Sequence, residues 1–280
     1  MNNFILAYFI TALSAVIIFY QTYHNMFDIW INSPTYQYGL LVFPISIYLI
    51  WHGKDVIKNI NLYPSYYYLL LLFAVFSLWY FADLYEINFL KHFSALAYVP
   101  AIMLFLYGSK LLRTFIFPIS FIIFGTPFGE EIVFILQAIT HSGVMIILKI
   151  LNFNPEAENL FILAGGQLFE VTRDCSGVRY FMATLIFSSL YAYIKGFSQK
   201  STIIFILIAI FFPILLNILR ASFIAVIAIL GSRELAIGMD HTIYGMIFFI
   251  INVIIIIMIG VPLTQYFAKK LILPRVDNYR

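Results

Sequence analysis

Charge is what this sequence has least of: 10% of its 280 residues are Asp, Glu, Lys or Arg, against about a quarter in soluble domains. So few charges exclude an aqueous fold of this length, because too little polar surface exists to face water. Cysteine is almost missing too, and a lone Cys175 excludes an internal disulfide or a thiolate zinc cluster. No long polar stretch offers a separate soluble domain, and no tandem repeat, low-complexity tract or linker divides the chain. Met1-Asn2-Asn3 carries no basic residue, and the apolar run to Tyr20 lacks a small-residue cleavage site. The start therefore reads as a retained span and not as a removed signal peptide. A net charge of +3 carries no nucleic-acid signature.

What is there is apolar: 63% hydrophobic residues and a mean hydropathy of +0.96. The solvent for most of this chain is lipid, and residues 1–280 read as one membrane-embedded domain. A helix needs roughly 20 apolar residues to cross a bilayer. The runs that qualify or nearly do are about 4–23, 34–51, 66–84, 91–108, 111–125, 176–194, 201–230 and 241–266. The expected fold is an all-α polytopic membrane protein of about eight transmembrane helices. The fifth run is short and broken by Pro118, and the seventh is too long for one straight span, with Pro213 a natural kink. Segment 129–151 carries Glu130, Gln137 and His141 near one face, which suits an outer amphipathic or partly inserted helix.

Basic residues set orientation. With an inner N-terminus, the inner loops hold Lys54, Lys58, Lys110, Arg113, Lys195 and Lys200, and the inner tail holds Lys269, Lys270, Arg275 and Arg280. These are ten of the 16 basic residues, whereas only Asp55 and Asp277 of the 13 acids fall inside. Both termini are then cytoplasmic and the polar stretch Asn152–Asp174 lies outside. Within it, Leu160–Ala164 and Gln167–Thr172 flank Gly165-Gly166, the pattern of a short hairpin.

Three groups carry chemistry, at the outer mouths of the last three spans. Arg173-Asp174-Cys175-Ser176-Gly177-Val178-Arg179 leads a polar loop into a helix. Asp174 or Ser176 is placed to cap it, and a thiol at a helix start sees unpaired N–H groups that favour thiolate. Arg179, four residues on, would share its face and add positive potential. The bland alternative is a small, inert apolar residue in a membrane helix. Asn217 and Arg220 lie three residues apart within the next apolar run, where an arginine costs at least about 2.5–3.5 kcal/mol and needs a protected polar surrounding. The alternative there is a structural arginine held by carbonyls or an acid. Asp240-His241 opens the last span ahead of Tyr244-Gly245. His241 suits general acid–base work, Asp240 could cap the helix or orient the ring, and the alternative is an ordinary interfacial histidine.

Cys-Ser-Gly-x-Arg, Asn-x-x-Arg and Asp-His-x-x-Tyr-Gly, in this order across about 165–250, resemble the exosortase/archaeosortase family. The resemblance is closest to the exosortase branch (exosortase A-like), which carries histidine where archaeosortases carry arginine. It extends weakly to Ser33-Pro34-Thr35-Tyr36-Gln37-Tyr38-Gly39. The further C-terminal soluble domain of some members is not expected. The resemblance implies a bacterial inner-membrane cysteine protease or transpeptidase acting on exported proteins at the outer face. Their C-terminal sorting signal would be a Pro-Glu-Pro-like motif, an apolar span and a basic tail. It implies Cys175, Arg220 and His241 as the catalytic set, with Arg179, Asn217, Asp240 and Asp174 supporting or contacting substrate. No cofactor is implied, and Cys175, His241 and Asp240 lack the spacing of a metal site. Tyr36, Tyr38 and Glu170 are further candidates for a cleft lining. The rival readings are a transporter, a non-catalytic component of exopolysaccharide export, and a lipid-linked acyltransferase.

Overall fold

The computed structural model describes residues 16–58, 63–231 and 241–267; the side chains of 241–244 and 263–267 lie outside that description. Much of the first expected span, Asp240, and the basic residues of the C-terminal tail also lie outside it. The protein is an all-α polytopic membrane protein with a small sheet, and its contacts divide it into two compact units, 1–128 and 129–280.

In the first unit, α1 (Tyr20–Asn32), α2 (Gly39–His52) and the short α3 (Lys54–Lys58) precede α4 (Leu69–Leu84) and α5 (Asn88–Thr114). The short α6 (Ile116–Phe121) follows, with a 3₁₀ turn to Gly125. Burial runs opposite to that of a soluble protein. On α4 only Ala82 is buried, whereas Leu70 is 71% and Phe73 69% exposed. Lipid accepts such side chains, so helices meet through small residues and interhelical hydrogen bonds. Tyr23 donates to the Ala95 carbonyl and Trp30 Nε1 to the Gly125 carbonyl, both at 2.9 Å, and Trp79 Nε1 donates to Thr22 Oγ1 at 3.0 Å. Tyr36 is buried here among Met26, Trp30, Leu96 and Ile122, with Tyr38 packed on the same cluster.

The second unit contains α7 (Glu130–Ile150), β1 (Glu156–Glu158), β2 (Phe161–Ala164), β3 (Gln167–Glu170), α8 (Val178–Ile194), α9 (Gln199–Ile229) and α10 (His241–Phe267). The strands form an antiparallel sheet in sequence order; Ala164 pairs with Gln167 across Gly165-Gly166, both at positive φ. That two-glycine turn is the one expected; β1 is an addition, pairing Glu158 with Phe161. One sheet face buries Ile162 and Ala164 against Val144 and Leu148 of α7 and Ala225 of α9.

The structure bears on two of the expected segments. Among the described residues, five helices are long and apolar enough to cross a membrane: Tyr66–Leu84, Asn88–Thr114, Glu130–Ile150, Gln199–Ile229 and Gly245–Pro262. Segment 129–151, expected as an outer amphipathic or partly inserted helix, is long and apolar enough to cross, because Ile132–Leu148 holds no Asp, Glu, Lys or Arg between its charged ends. The expected division between 91–108 and 111–125 coincides with Gly108, whose non-helical backbone (φ +75°, ψ 177°) breaks Asn88–Thr114, and Phe115 bends the chain again ahead of the short apolar stretch Ile116–Gly125. α9 runs through Pro213 as one helix of 31 residues, about 46 Å at 1.5 Å per residue.

Candidate active site

The loop entering α8 is shaped by one glycine. Arg173–Cys175 forms a single 3₁₀ turn, closed by the Cys175 N–H donating to the Thr172 carbonyl and the Ser176 N–H to that of Arg173, both at 3.0 Å. Gly177 then takes the left-handed conformation, φ +79°, before α8 begins at Val178. A Cβ at Gly177 would lie 2.6 Å from Asn217 Cγ, so both backbone angle and space require glycine here. This break corrects two expectations. Cys175 and Arg179 do not share one helical face, because the chain between them is not helical, and Arg179 is exposed. Asp174 does not cap α8; the Ser176 hydroxyl accepts from the Val178 N–H at 3.3 Å, while Gly177 holds the cap position.

The loop is fastened from α9. Asn217, 3% exposed, donates through Nδ2 to the Cys175 carbonyl at 2.7 Å and to Thr140 Oγ1 of α7 at 3.0 Å. Arg220, one turn on, donates through Nη2 to the Asp174 carbonyl at 3.4 Å. The Asn-x-x-Arg pair thus holds two successive carbonyls of the cysteine loop. From α7, Gln137 Nε2 donates to the Val171 carbonyl at 3.1 Å, and Glu130 pairs with Arg173. The acidic side chain of Asp174 is exposed; its carbonyl is the part that meets Arg220.

Arg220 is 2% exposed. Its guanidinium lies 5.4 Å from the Tyr180 ring centre, and Nη1 reaches the Tyr180 hydroxyl at 3.5 Å. Nε is buried with no hydrogen-bond partner among the described residues, and no described carboxylate pairs with the side chain. A cation so held, with long bonds to neutral groups, has electrostatic capacity left for an anionic ligand or transition state. α10 is held close by a second glycine. A Cβ at Gly245 would fall on the Tyr180 hydroxyl and lie 3.3 Å from Arg220 Nη1. His241 opens the same helix four residues earlier, about 6 Å along the axis. The third motif is thereby brought beside the second, although the His241 side chain and Asp240 lie outside the described residues.

Cys175 and Arg220 line one cleft of about 280 Å³ with Glu170. Its walls are apolar: Ile162, Phe169 and Val171 from the hairpin side, Val144 from α7, and Ala221, Ile224 and Ala225 from α9. Cys175 is half-buried, and its Sγ accepts from the Thr172 hydroxyl at 3.5 Å. A half-buried thiol beside a buried cation, in a largely apolar cleft, can attack an electrophilic carbonyl and stabilise the resulting oxyanion. Thr140, Gln137 and Tyr180 were missed as parts of this site. The polar stripe of α7 was visible, but the loop it faces was not.

No curated protein and no solved structure matches the chain significantly. A family model does: Transmembrane exosortase (Exosortase_EpsH), over residues 30–258. That stretch includes Cys175, Asn217, Arg220, His241 and Gly245 and covers most of the sequence. The chain belongs to the transmembrane exosortase family.

Proposed function

We propose that the protein is a membrane cysteine peptidase or transpeptidase that cuts C-terminal sorting signals from exported proteins at the outer face of the cytoplasmic membrane. What supports the cysteine assignment most is that Cys175 and the buried Arg220 line the same apolar cleft. Placement of the basic residues supports the outer-face location. The sorting signal, a motif followed by an apolar span and basic residues, follows from the family and the resemblance of the motifs.

The Cys175 thiolate attacks the scissile carbonyl carbon, and the carbonyl electrons move to oxygen. The Arg220 guanidinium stabilises that oxyanion in a setting with little competing water. Collapse re-forms the carbonyl and breaks the C–N bond. His241 gives its proton to the departing amine, leaving a thioester on Cys175. The same imidazole then takes a proton from the acceptor, which attacks the thioester and releases the thiolate. Water as acceptor gives hydrolysis and an amine gives transpeptidation. Asn217 positions the nucleophile through the Cys175 carbonyl, and Gly177 permits the close approach. Arg179 and Asp174 are left as outer supporting residues, and Asp240 as the partner that orients His241.

The test is co-expression with a tagged exported protein that ends in a motif, an apolar span and basic residues. Wild-type protein should shorten it, and Cys175→Ala should leave it intact. Cleavage by Cys175→Ala would remove the assignment.

A further inference from the structure

The edge of the hairpin beside this cleft carries hydrogen-bonding groups that neither the sheet nor a helix uses. The Val171 N–H donates to the Leu160 carbonyl at 3.0 Å, so Leu160 and Val171 are a hydrogen-bonded pair. Antiparallel pairs alternate, so Ile162 with Phe169 is the next such pair, whereas Glu170 opposite Phe161 and Leu168 opposite Leu163 are not. The N–H and C=O of Leu168 and Glu170 therefore point away from β2. β3 is the last strand of the sheet, and among the described residues nothing pairs with those groups. Leu168 is 67% exposed and Glu170 is exposed, so the edge is open.

That edge has an address. Glu170 and Val171 line the cleft that also contains Cys175 and Arg220, and Ile224 of α9 lines it as well. The hairpin turn is seated on α9, where a Cβ at Gly165 would collide with the Ile229 side chain. An exposed strand edge is normally blunted by charge, proline or a covering element, because it templates pairing with another chain. This one leads to the candidate nucleophile.

We propose that β3 is the substrate-docking strand: an extended segment of the substrate polypeptide pairs with the free edge at Leu168 and Glu170, which lays its scissile carbonyl beside Cys175. The inference rests on the cysteine reading of the site and deepens it. Backbone N–H and C=O groups at strand spacing complement an extended peptide, whereas a lipid chain offers them nothing. Recognition through the main chain would fix reach and direction toward the thiol, and leave side-chain preference to the apolar cleft.

The lone cysteine makes the test unambiguous, since every thiol adduct is on Cys175. Purified full-length protein in detergent is labelled with a tetrapeptide chloromethyl ketone built from alanine and leucine, and separately with iodoacetamide and with a dodecyl chloromethyl ketone. Edge pairing predicts that Glu170→Pro, which removes an N–H not used by β2, slows the peptide reagent about five- to tenfold, the scale of one or two lost backbone hydrogen bonds. Glu170→Gln removes the same charge but keeps the N–H and is the reference: the ratio of peptide to iodoacetamide labelling rates should fall about five- to tenfold in Glu170→Pro relative to Glu170→Gln.

Proline also restricts the hairpin backbone, so the second arm leaves the protein intact and N-methylates each peptide amide in turn. Alternate amides should matter, with losses of similar size, because only alternate groups of an added strand face the edge. Uniform insensitivity to N-methylation, Glu170→Gln matching Glu170→Pro, or a peptide reagent no faster than the dodecyl one would each overturn the proposal. Labelling does not require turnover. If Cys175→Ala still cleaves a co-expressed substrate while the alternating pattern is seen, the nucleophile reading fails and the docking strand stands.

Discussion

Asn217 is the side chain through which the geometry makes its sharpest claim. Asn217→Ala removes two donations, to the Cys175 carbonyl at 2.7 Å and to Thr140 Oγ1 at 3.0 Å, from a side chain that is 3% exposed. A typical buried hydrogen bond contributes about 1 kcal/mol net, and leaving a buried carbonyl unsatisfied costs a further 1–3 kcal/mol or so. The sum is roughly 2–4 kcal/mol, directed at the peptide unit that carries the nucleophile. If half or more falls on the geometry of the reacting state, cleavage slows by about fivefold to several hundredfold, since 1.36 kcal/mol is tenfold. Asn217→Asp should do at least as much harm, because it keeps the shape but sets oxygen against oxygen at the Cys175 carbonyl. Thr140→Val removes only the outer contact and should cost about 1 kcal/mol. The assay is the rate of cleavage of a co-expressed, tagged substrate, paired with thermal unfolding in detergent. Cleavage by Asn217→Ala within twofold of wild type, with unchanged unfolding, would refute the idea that this bond holds the cysteine loop.

Other predictions follow from the same contacts. Gly177→Ala must pay for φ +79° and for a methyl group 2.6 Å from Asn217 Cγ, about 2–4 kcal/mol together, and should abolish cleavage while lowering the unfolding temperature. Arg220→Lys keeps a charge but loses the planar fork that spans Tyr180 and the Asp174 carbonyl. It should cut cleavage about 10²- to 10³-fold, measured by substrate processing at matched protein levels. Glu130→Gln breaks the pair with Arg173; both side chains are largely exposed, so unfolding should move by less than about 1 kcal/mol and cleavage by only a few-fold.

The apolar runs and the two-glycine hairpin were legible because each is a local pattern: lipid demands length, and a turn demands glycine. Gly165-Gly166 sits where the register places it. The same locality misled at two points. Helical spacing put Arg179 over Cys175, but that spacing holds only inside a helix, and Gly177 interrupts it. The stripe of Glu130, Gln137 and His141 on α7 looked like a face for the interface. Two of its members meet the cysteine loop, and a polar residue facing protein has the same sequence signature as one facing water. Asn217 and Arg220 were legible as a pair that needs partners. That those partners are consecutive carbonyls of the cysteine loop is a tertiary fact, and no spacing rule encodes it.

The central claim is that Cys175 is the nucleophile of this exosortase, and intact mass at the substrate C-terminus tests it most directly. The substrate should end at one defined residue before its apolar span when co-expressed with wild-type protein, free or joined to an acceptor. With Cys175→Ala it should keep its full mass. A shortened substrate in the Cys175→Ala strain, at wild-type yield, would contradict the account.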